Sequence, residues 1–212
     1  NEILWALNIT GYECKYSDPR FSKTYEYGIF REQYMTLEEY KKKYFDSSRP
    51  YTVGLLESNM YVSNGQLQPY YALIKSLEAK GCNVIPVVAA GGSENQLKVM
   101  VKYFTNAPSY EAYLNNPLKY TNNVNAIISM PAYGIGGNLF DNTTKYFETA
   151  GVPVFRAVHS DYVSNEEWEL SATGLPGNRS DKWWHVAIGE AQGIIEATFV
   201  GGVTHEISSK TG

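Results

Sequence analysis

Apolar β-type runs alternate with amphipathic helical stretches along this chain, which predicts an α/β protein. The expected architecture is a doubly wound, mostly parallel sheet, flavodoxin-like or Rossmann-like. Three observations carry that expectation. YTVGLLE at 51–57, CNVIPVV at 82–88, VNAIISM at 124–130 and VPVFRAV at 152–158 read as strands buried on both faces. Helical periodicity fills the intervals between them, so the first interval makes a βαβ unit with a right-handed crossover. Each run also ends in a small or polar loop, and such sheets bind ligands just past the carboxyl ends of their strands.

Taken in order, residues 3–9 (ILWALNI) read as a strand or a short buried segment. After a polar loop, Thr36 reads as a helix cap with Glu39 as its capping-box partner; Leu37, Tyr40 and Tyr44 recur at helical spacing. Pro50 closes that helix, and the first strand follows. Asn64-Gly65 reads as a turn into a helix whose apolar stripe is Leu67, Tyr71, Ile74 and Leu77, with Gly81 as its C′ residue. The second strand ends in Gly91-Gly92, and Ser93 caps the next helix, ENQLKVMVKYF. A short helix is expected around Ser109–Leu114, then an Asn-rich surface loop to Asn125. The third strand ends in PAYGIGGN, a helix covers Asp141–Thr149, and the fourth strand follows. GIIEATFV is a last apolar run.

With 212 residues, one large or two small domains are possible. The expected division is an amino-terminal segment, 1–50, with one helix packed on an α/β domain, 51–212. A net charge of −4 offers no basic field for a phosphate backbone, which argues against nucleic acid as the partner. No apolar run approaches the ~20 residues of a membrane span. No charged-then-apolar leader precedes Glu2, and both ends read as cut from something longer. Eighteen tyrosines against eight phenylalanines suit either a wet surface or the binding of flat, amphipathic molecules. Cys14 and Cys82 show no CxxC spacing, and sequence leaves open whether they pair.

Function is sought between Gly151 and Gly202, which holds two of the three histidines and three of the four tryptophans. His159 ends the fourth strand beside Asp161, where a neutral imidazole takes a proton, offers a ring nitrogen to a metal ion, or simply bonds that carboxylate. Trp183 and Trp184 beside His185 either stack on a planar ligand or pack the sheet edge. Glu190 lies between apolar runs, as a base of raised pKa or as an exposed turn acid. Gly134-Ile-Gly136-Gly137 lacks the G-x-G-x-x-G spacing, so a tight turn or a close backbone approach is the favoured reading. There is no P-loop signature and no multi-histidine zinc pattern.

Three blocks in order resemble one family, the large subunit of cobaltochelatase (CobN type) and of magnesium chelatase. LEEYKKKYFDSSRPYTVGLLESNMYVSNGQLQPYYALIKSLEAKGCNVIPVV is similar to the family's "EEY…RPxVGIL", helix and "LExxGxNVxPVF" pattern. VNAIISMPAYGIGG is similar to "VDAVINLxxFxxGG", and the third block is GVPVFRAV, then EEWELSATGL, then GEAQGII, which stands where the family has a "PExDG-I" element. Gly189 stands for that element's Pro and Gln192 for its second acid, so only Glu190 of its carboxylates remains. The resemblance covers about four fifths of the chain, from Thr36 to Gly202.

What the resemblance implies is a segment of a tetrapyrrole-binding subunit that inserts cobalt into a corrin ring, or magnesium into protoporphyrin. The metal ion is then substrate, ATP is used by partner ATPase subunits and not bound here, and the remainder of the large subunit is a partner. The setting expected is cytoplasmic. Catalytic roles fall to His159 and Glu190. Ligand contacts fall to Arg156, Trp183, Trp184, His185, Tyr133, Gly136, Gly137 and Tyr61, with no resident metal site. The competing expectations are a non-catalytic module for a tetrapyrrole or other small molecule, and a scaffold docking the ATPase subunits.

Overall fold

The computed structural model describes residues 8–13, 27–132, 134–137, 140–175 and 182–202. Strand β3 (Tyr51–Ser58) is the axis of the sheet, buried from Val53 onward as its apolar run requires. It pairs in parallel with β4 (Cys82–Ala89) through eight registered positions, Tyr51 opposite Cys82 to Ser58 opposite Ala89. On its other side lies β5 (Ala126–Ser129), followed outward by β6 (Val154–His159) and β7 (Ile195–Gly201), all parallel. Two further strands, β1 (Tyr27–Arg31) and β2 (Gln33–Met35), add antiparallel beyond β4. The full order is β2-β1-β4-β3-β5-β6-β7. Among the five parallel strands alone the order is that of flavodoxin-like sheets, so the doubly wound expectation resolves to that member of the class.

Helices cover both faces. Helix α1 (Leu37–Tyr44) opens with the expected capping box: Thr36 accepts from the Glu39 backbone, and the Glu39 carboxylate accepts from the Thr36 backbone. On one face, α3 (Gln68–Ala79) lays Tyr70 and Ile74 over Leu55, Val84 and Val88. It follows the short helix α2 (Asn59–Asn64), which Gly65 closes at φ 70°. On the other face, Leu97 and Phe104 of α4 (Glu94–Phe104) pack with Leu56, Ile85 and Ile127. Tyr146 of α6 (Phe140–Ala150) belongs to the same cluster. A Cβ at Gly54 would sit 2.7 Å from the Phe104 ring, so glycine lets that helix reach the strand. The Asn-rich loop ahead of β5 is tied down by its carboxamides: Asn125 accepts from Thr52 N–H, and Asn123 donates to the Thr105 carbonyl.

The structure corrects the expectation in three places. Asn8 and Ile9 close a helical turn instead of a strand, with Ile9 64% exposed; residues 3–7 lie outside the described set. The segment before Pro50 contributes two strands as well as its helix. The chain reverses at Glu32, which adopts φ 65° without glycine or asparagine, and so carries no turn signal. Between β6 and β7 lie two helical pieces that no periodicity announces. They are α7 (Asn165–Leu170) and a π-helical turn, Lys182–Ala187, that runs into α8 (Ile188–Ala191). Helix α5 (Tyr110–Asn115) is capped by Ser109 as expected.

Candidate functional site

The carboxyl ends of β3, β5 and β6 converge on a buried polar cluster. Glu57, the penultimate residue of β3, is fully buried; its Oε1 accepts from Ser58 N–H at 2.6 Å, while Oε2 has no partner. Arg156 of β6 is 2% exposed and gives Nη1 to Ser129 Oγ at 3.2 Å and to the Pro131 carbonyl. Its Nε and Nη2 have no hydrogen-bond partner. Gly189 lies over that guanidinium, since a Cβ there would stand 3.2 Å from Nη2. Buried polar atoms are nearly always paired, so three orphans at one sheet edge single this place out.

Burial governs the charges. Desolvation pushes the Glu57 carboxyl up to about 8, against the lowering pull of Ser58 N–H and Arg156. The same desolvation brings Arg156 down to about 10, with Glu57 pulling the other way. His185, buried on the π-helical turn, is lowered to about 3, first by desolvation and then by the nearby Arg156 guanidinium and His159 imidazole. His159 is also lowered by desolvation, partly offset by Asp161. At neutral pH the cluster therefore holds a neutral carboxyl, two neutral imidazoles and one guanidinium.

His159 stacks on Tyr61 of α2, ring centroids 4.5 Å apart, and the Tyr61 hydroxyl donates to Asp161 at 3.0 Å. Asp161 is thus held by the tyrosine, and His159 Nδ1 stays without a partner. His159 and Asp161 line a cleft of mixed character, about 510 Å³, together with Gln66, Gln68, Pro69 and Asn165.

A second cavity, of about 410 Å³, lies between β6, β7 and the π-helical turn and is mainly apolar. Its walls include Trp168, Leu175, Val186 and Phe199, with Lys182 and Glu190 among its polar lining. Trp168 and Phe199 stack nearly parallel, 4.8 Å apart at 8°. Glu190 is exposed, so the reading of an acid enclosed by apolar walls gives way to a carboxylate in solvent contact.

The structure brings Arg156, His159, His185 and Tyr61 to this region, but His159 and Glu190 line different cavities. Trp183 is 59% exposed, Trp184 is half-buried, and neither lines the apolar cavity. The tryptophan in that cavity's lining is Trp168, stacked on Phe199. Gly136 and Gly137 adopt φ 79° and 58°. Their close approach is to protein: a Cβ on Gly137 would overlap the Gly92 carbonyl, and one on Gly136 would stand 2.9 Å from Leu97 Cδ1. Tyr133 lies outside the described residues, as does Cys14; Cys82 is a free thiol. Sequence reasoning misses Glu57, hidden at the end of an apolar run, and Gln192. The Gln192 carboxamide is buried and pairs twice with the backbone of Ile135, each bond 2.9 Å, fixing the loop after β5.

Comparison with known proteins bears on this geometry. The family model described as CobN/Magnesium Chelatase matches residues 5–212. The chain belongs to that family. An uncharacterized protein of Methanocaldococcus jannaschii is 28% identical over 184 residues, covering 82% of this chain and 14% of that protein. A magnesium-chelatase subunit of Cereibacter sphaeroides is 26% identical over 165 residues, 76% of this chain and 12% of the relative. The chloroplastic magnesium-chelatase subunit ChlH of Oryza sativa is 28% identical over 146 residues, 67% and 10%. The catalytic subunit of cobaltochelatase from Mycobacterium tuberculosis shares the fold, with a TM-score of 0.56 at 15% identity over 88% of this chain and 14% of that one. The CobN/magnesium chelatase chain described here thus spans between 10% and 14% of the length of these relatives. Among its described residues, no helix is long and apolar enough to cross a membrane, and no group of three or more His, Cys, Asp or Glu is placed to hold a metal ion.

Proposed function

We propose that this chain forms a ring-facing wall of a metal-chelatase large subunit that inserts cobalt into a corrin ring or magnesium into protoporphyrin. The observation that carries the reading is the apolar slot built on the Trp168–Phe199 stack, with an exposed carboxylate, Glu190, in its lining. Flat conjugated rings gain by lying against such stacked aromatic and aliphatic surfaces.

Insertion releases ring N–H protons as the divalent ion takes their place, two from a porphyrin and one from a corrin, so a proton acceptor must stand at the ring face. Glu190 fills that role, because its carboxylate stands in the slot's lining in solvent contact and can hand a proton taken from the ring on to water. Lys182, in the lining of the same slot, supplies a cation suited to an acidic substituent of the ring. His159 faces the other cavity, so proton removal at the slot is assigned to Glu190 alone. ATP is used by partner ATPase subunits; the metal ion and the ring are substrates.

The test is Glu190→Gln in the large subunit that carries this sequence, assayed for insertion and for ring binding. Loss of a general base lowers the insertion rate by about 10²-fold, with ring affinity within about twofold. Unchanged insertion would sink the assignment. A docking role for the ATPase subunits is the second reading, favoured by the exposure of Leu170 at 87% and Trp183 at 59%. On that reading Trp183→Ala weakens subunit association and leaves ring affinity untouched.

A further inference from the structure

Helix α8 carries Glu190 but is only four residues long, Ile188–Ala191, far too short to hold its own place in water. Its position comes from what it touches. Two residues along a helix turn through about 200°, so Glu190 and Gln192 leave opposite sides of this piece. Glu190 is exposed in the lining of the Trp168–Phe199 slot, whereas Gln192 is 2% exposed and takes no part in that lining. The Gln192 carboxamide meets the Ile135 backbone as a neighbouring strand would. Its Oε1 accepts from Ile135 N–H and its Nε2 donates to the Ile135 carbonyl, both at 2.9 Å. One bond would leave a pivot; two fix distance and rotation together. Ile135 is itself fully buried in the cluster of Leu97 and Tyr146, so the clamp is anchored in the core. Close packing completes it. A Cβ on Gly134 would stand 2.7 Å from Ile188 Cγ2 and 3.4 Å from the Gln192 carboxamide, and one on Gly189 would stand 3.2 Å from Arg156 Nη2.

We propose that Gln192 is a positioning residue for Glu190, which rests on the reading of Glu190 as the proton acceptor. A base works only within hydrogen-bond reach of the proton it takes, and a misplacement of about 1 Å costs about 10²-fold in rate. Gln192 touches neither ring nor proton. It acts by tying the four-residue helix to the loop after β5, so that Glu190 is presented to the slot from a fixed point of the core.

The test is a double-mutant cycle in the large subunit that carries this sequence, with insertion at saturating ring and ring affinity read separately. Gln192→Ala removes both bonds and is expected to lower the insertion rate about 10-fold, with ring affinity within about threefold. Gly134→Ala keeps both bonds but presses on Ile188, so it moves the same helix by another route and is expected to act in the same direction. The deciding comparison is the Glu190→Gln background. A residue that acts through Glu190 has little left to do there, so Gln192→Ala added to Glu190→Gln stays within about twofold of Glu190→Gln alone. A merely structural loss lowers the rate by the same factor in both backgrounds. Factors that multiply in this way overturn the positioning role and leave Glu190 as the base. Parental insertion by Gln192→Ala overturns it as well. Where circular dichroism shows Gln192→Ala unfolded, the same readings on Gly134→Ala decide. Full insertion by Glu190→Gln removes the base and the positioning role together.

Discussion

Replacing Glu57 by glutamine should stabilise the chain, and by an amount that depends on pH. The Glu57 carboxyl is fully buried and titrates at about 8, against an ordinary value of 4.5. Its folded-state pKa is raised, so the folded state holds the proton more tightly than the unfolded one. Stability from this group is therefore complete below about 4.5, falls as pH rises, and levels off above about 8. At pH 7 roughly two and a half pH units have been crossed, which corresponds to about 3 kcal/mol. Glutamine keeps an oxygen to accept from Ser58 N–H and has no ionised form to desolvate. Other groups shape the raw curve. The lowered pKa values of His159 and His185 make stability rise with pH up to about 6.5, opposing Glu57 below that point. Arg156, lowered to about 10, contributes a constant offset below that pH. The window from 6.5 to 8 thus isolates the carboxyl. Urea unfolding of parent and Glu57→Gln at pH 5, 7 and 8 measures the difference directly. The variant gains little at pH 5 and up to about 3 kcal/mol at pH 7, or roughly 6–12 °C in Tm for a chain of this size. A pH-independent difference, or a less stable variant at pH 8, refutes the assignment of a neutral buried carboxyl.

Gly137→Ala should destabilise by about 2 kcal/mol or more, since φ is 58° and the new Cβ overlaps the Gly92 carbonyl; thermal unfolding reads this. Gln192→Ala removes both bonds to Ile135 and leaves its buried N–H unsatisfied, while the carbonyl keeps the Thr143 hydroxyl, lowering stability by about 1–3 kcal/mol in denaturant unfolding. Thr36→Ala breaks the capping box of α1 and should lower stability by about 1 kcal/mol, read by the same denaturant unfolding.

Much of the parallel sheet is legible in the sequence because its strands carry unbroken apolar runs. The runs that predict β3 and β4 end within a residue or so of the observed strands, and the Thr36–Glu39 box is legible directly. The β1–β2 reversal is not legible, because its turn rests on Glu32 at positive φ, and only tertiary context holds such a residue there. The site is legible by location but not by membership. Loops after parallel strands are a sound place to look, yet Glu57 lies near the end of β3 whereas Arg156 and His159 lie on β6, and no sequence spacing records the meeting of the two strand ends. Trp168 illustrates the same limit. Trp183-Trp184 stand out as a pair in the sequence, whereas the ring that stacks is set by the approach of α7 to β7. In the sequence Gln192 reads as the loss of an acid; its role as a clamp on Ile135 exists only once the loop after β5 is folded against it.

The measurement that bears most directly on the account is a titration of the purified chain with a metal-free corrin precursor and, separately, with protoporphyrin, following tryptophan fluorescence. Saturable quenching by one ring in the micromolar range, abolished in Trp168→Ala and preserved in Trp183→Ala, is the predicted result and would place that ring in the Trp168–Phe199 slot. No quenching by either ring, or quenching that survives Trp168→Ala, contradicts the slot as a ring site and leaves the chain as a docking segment of its family.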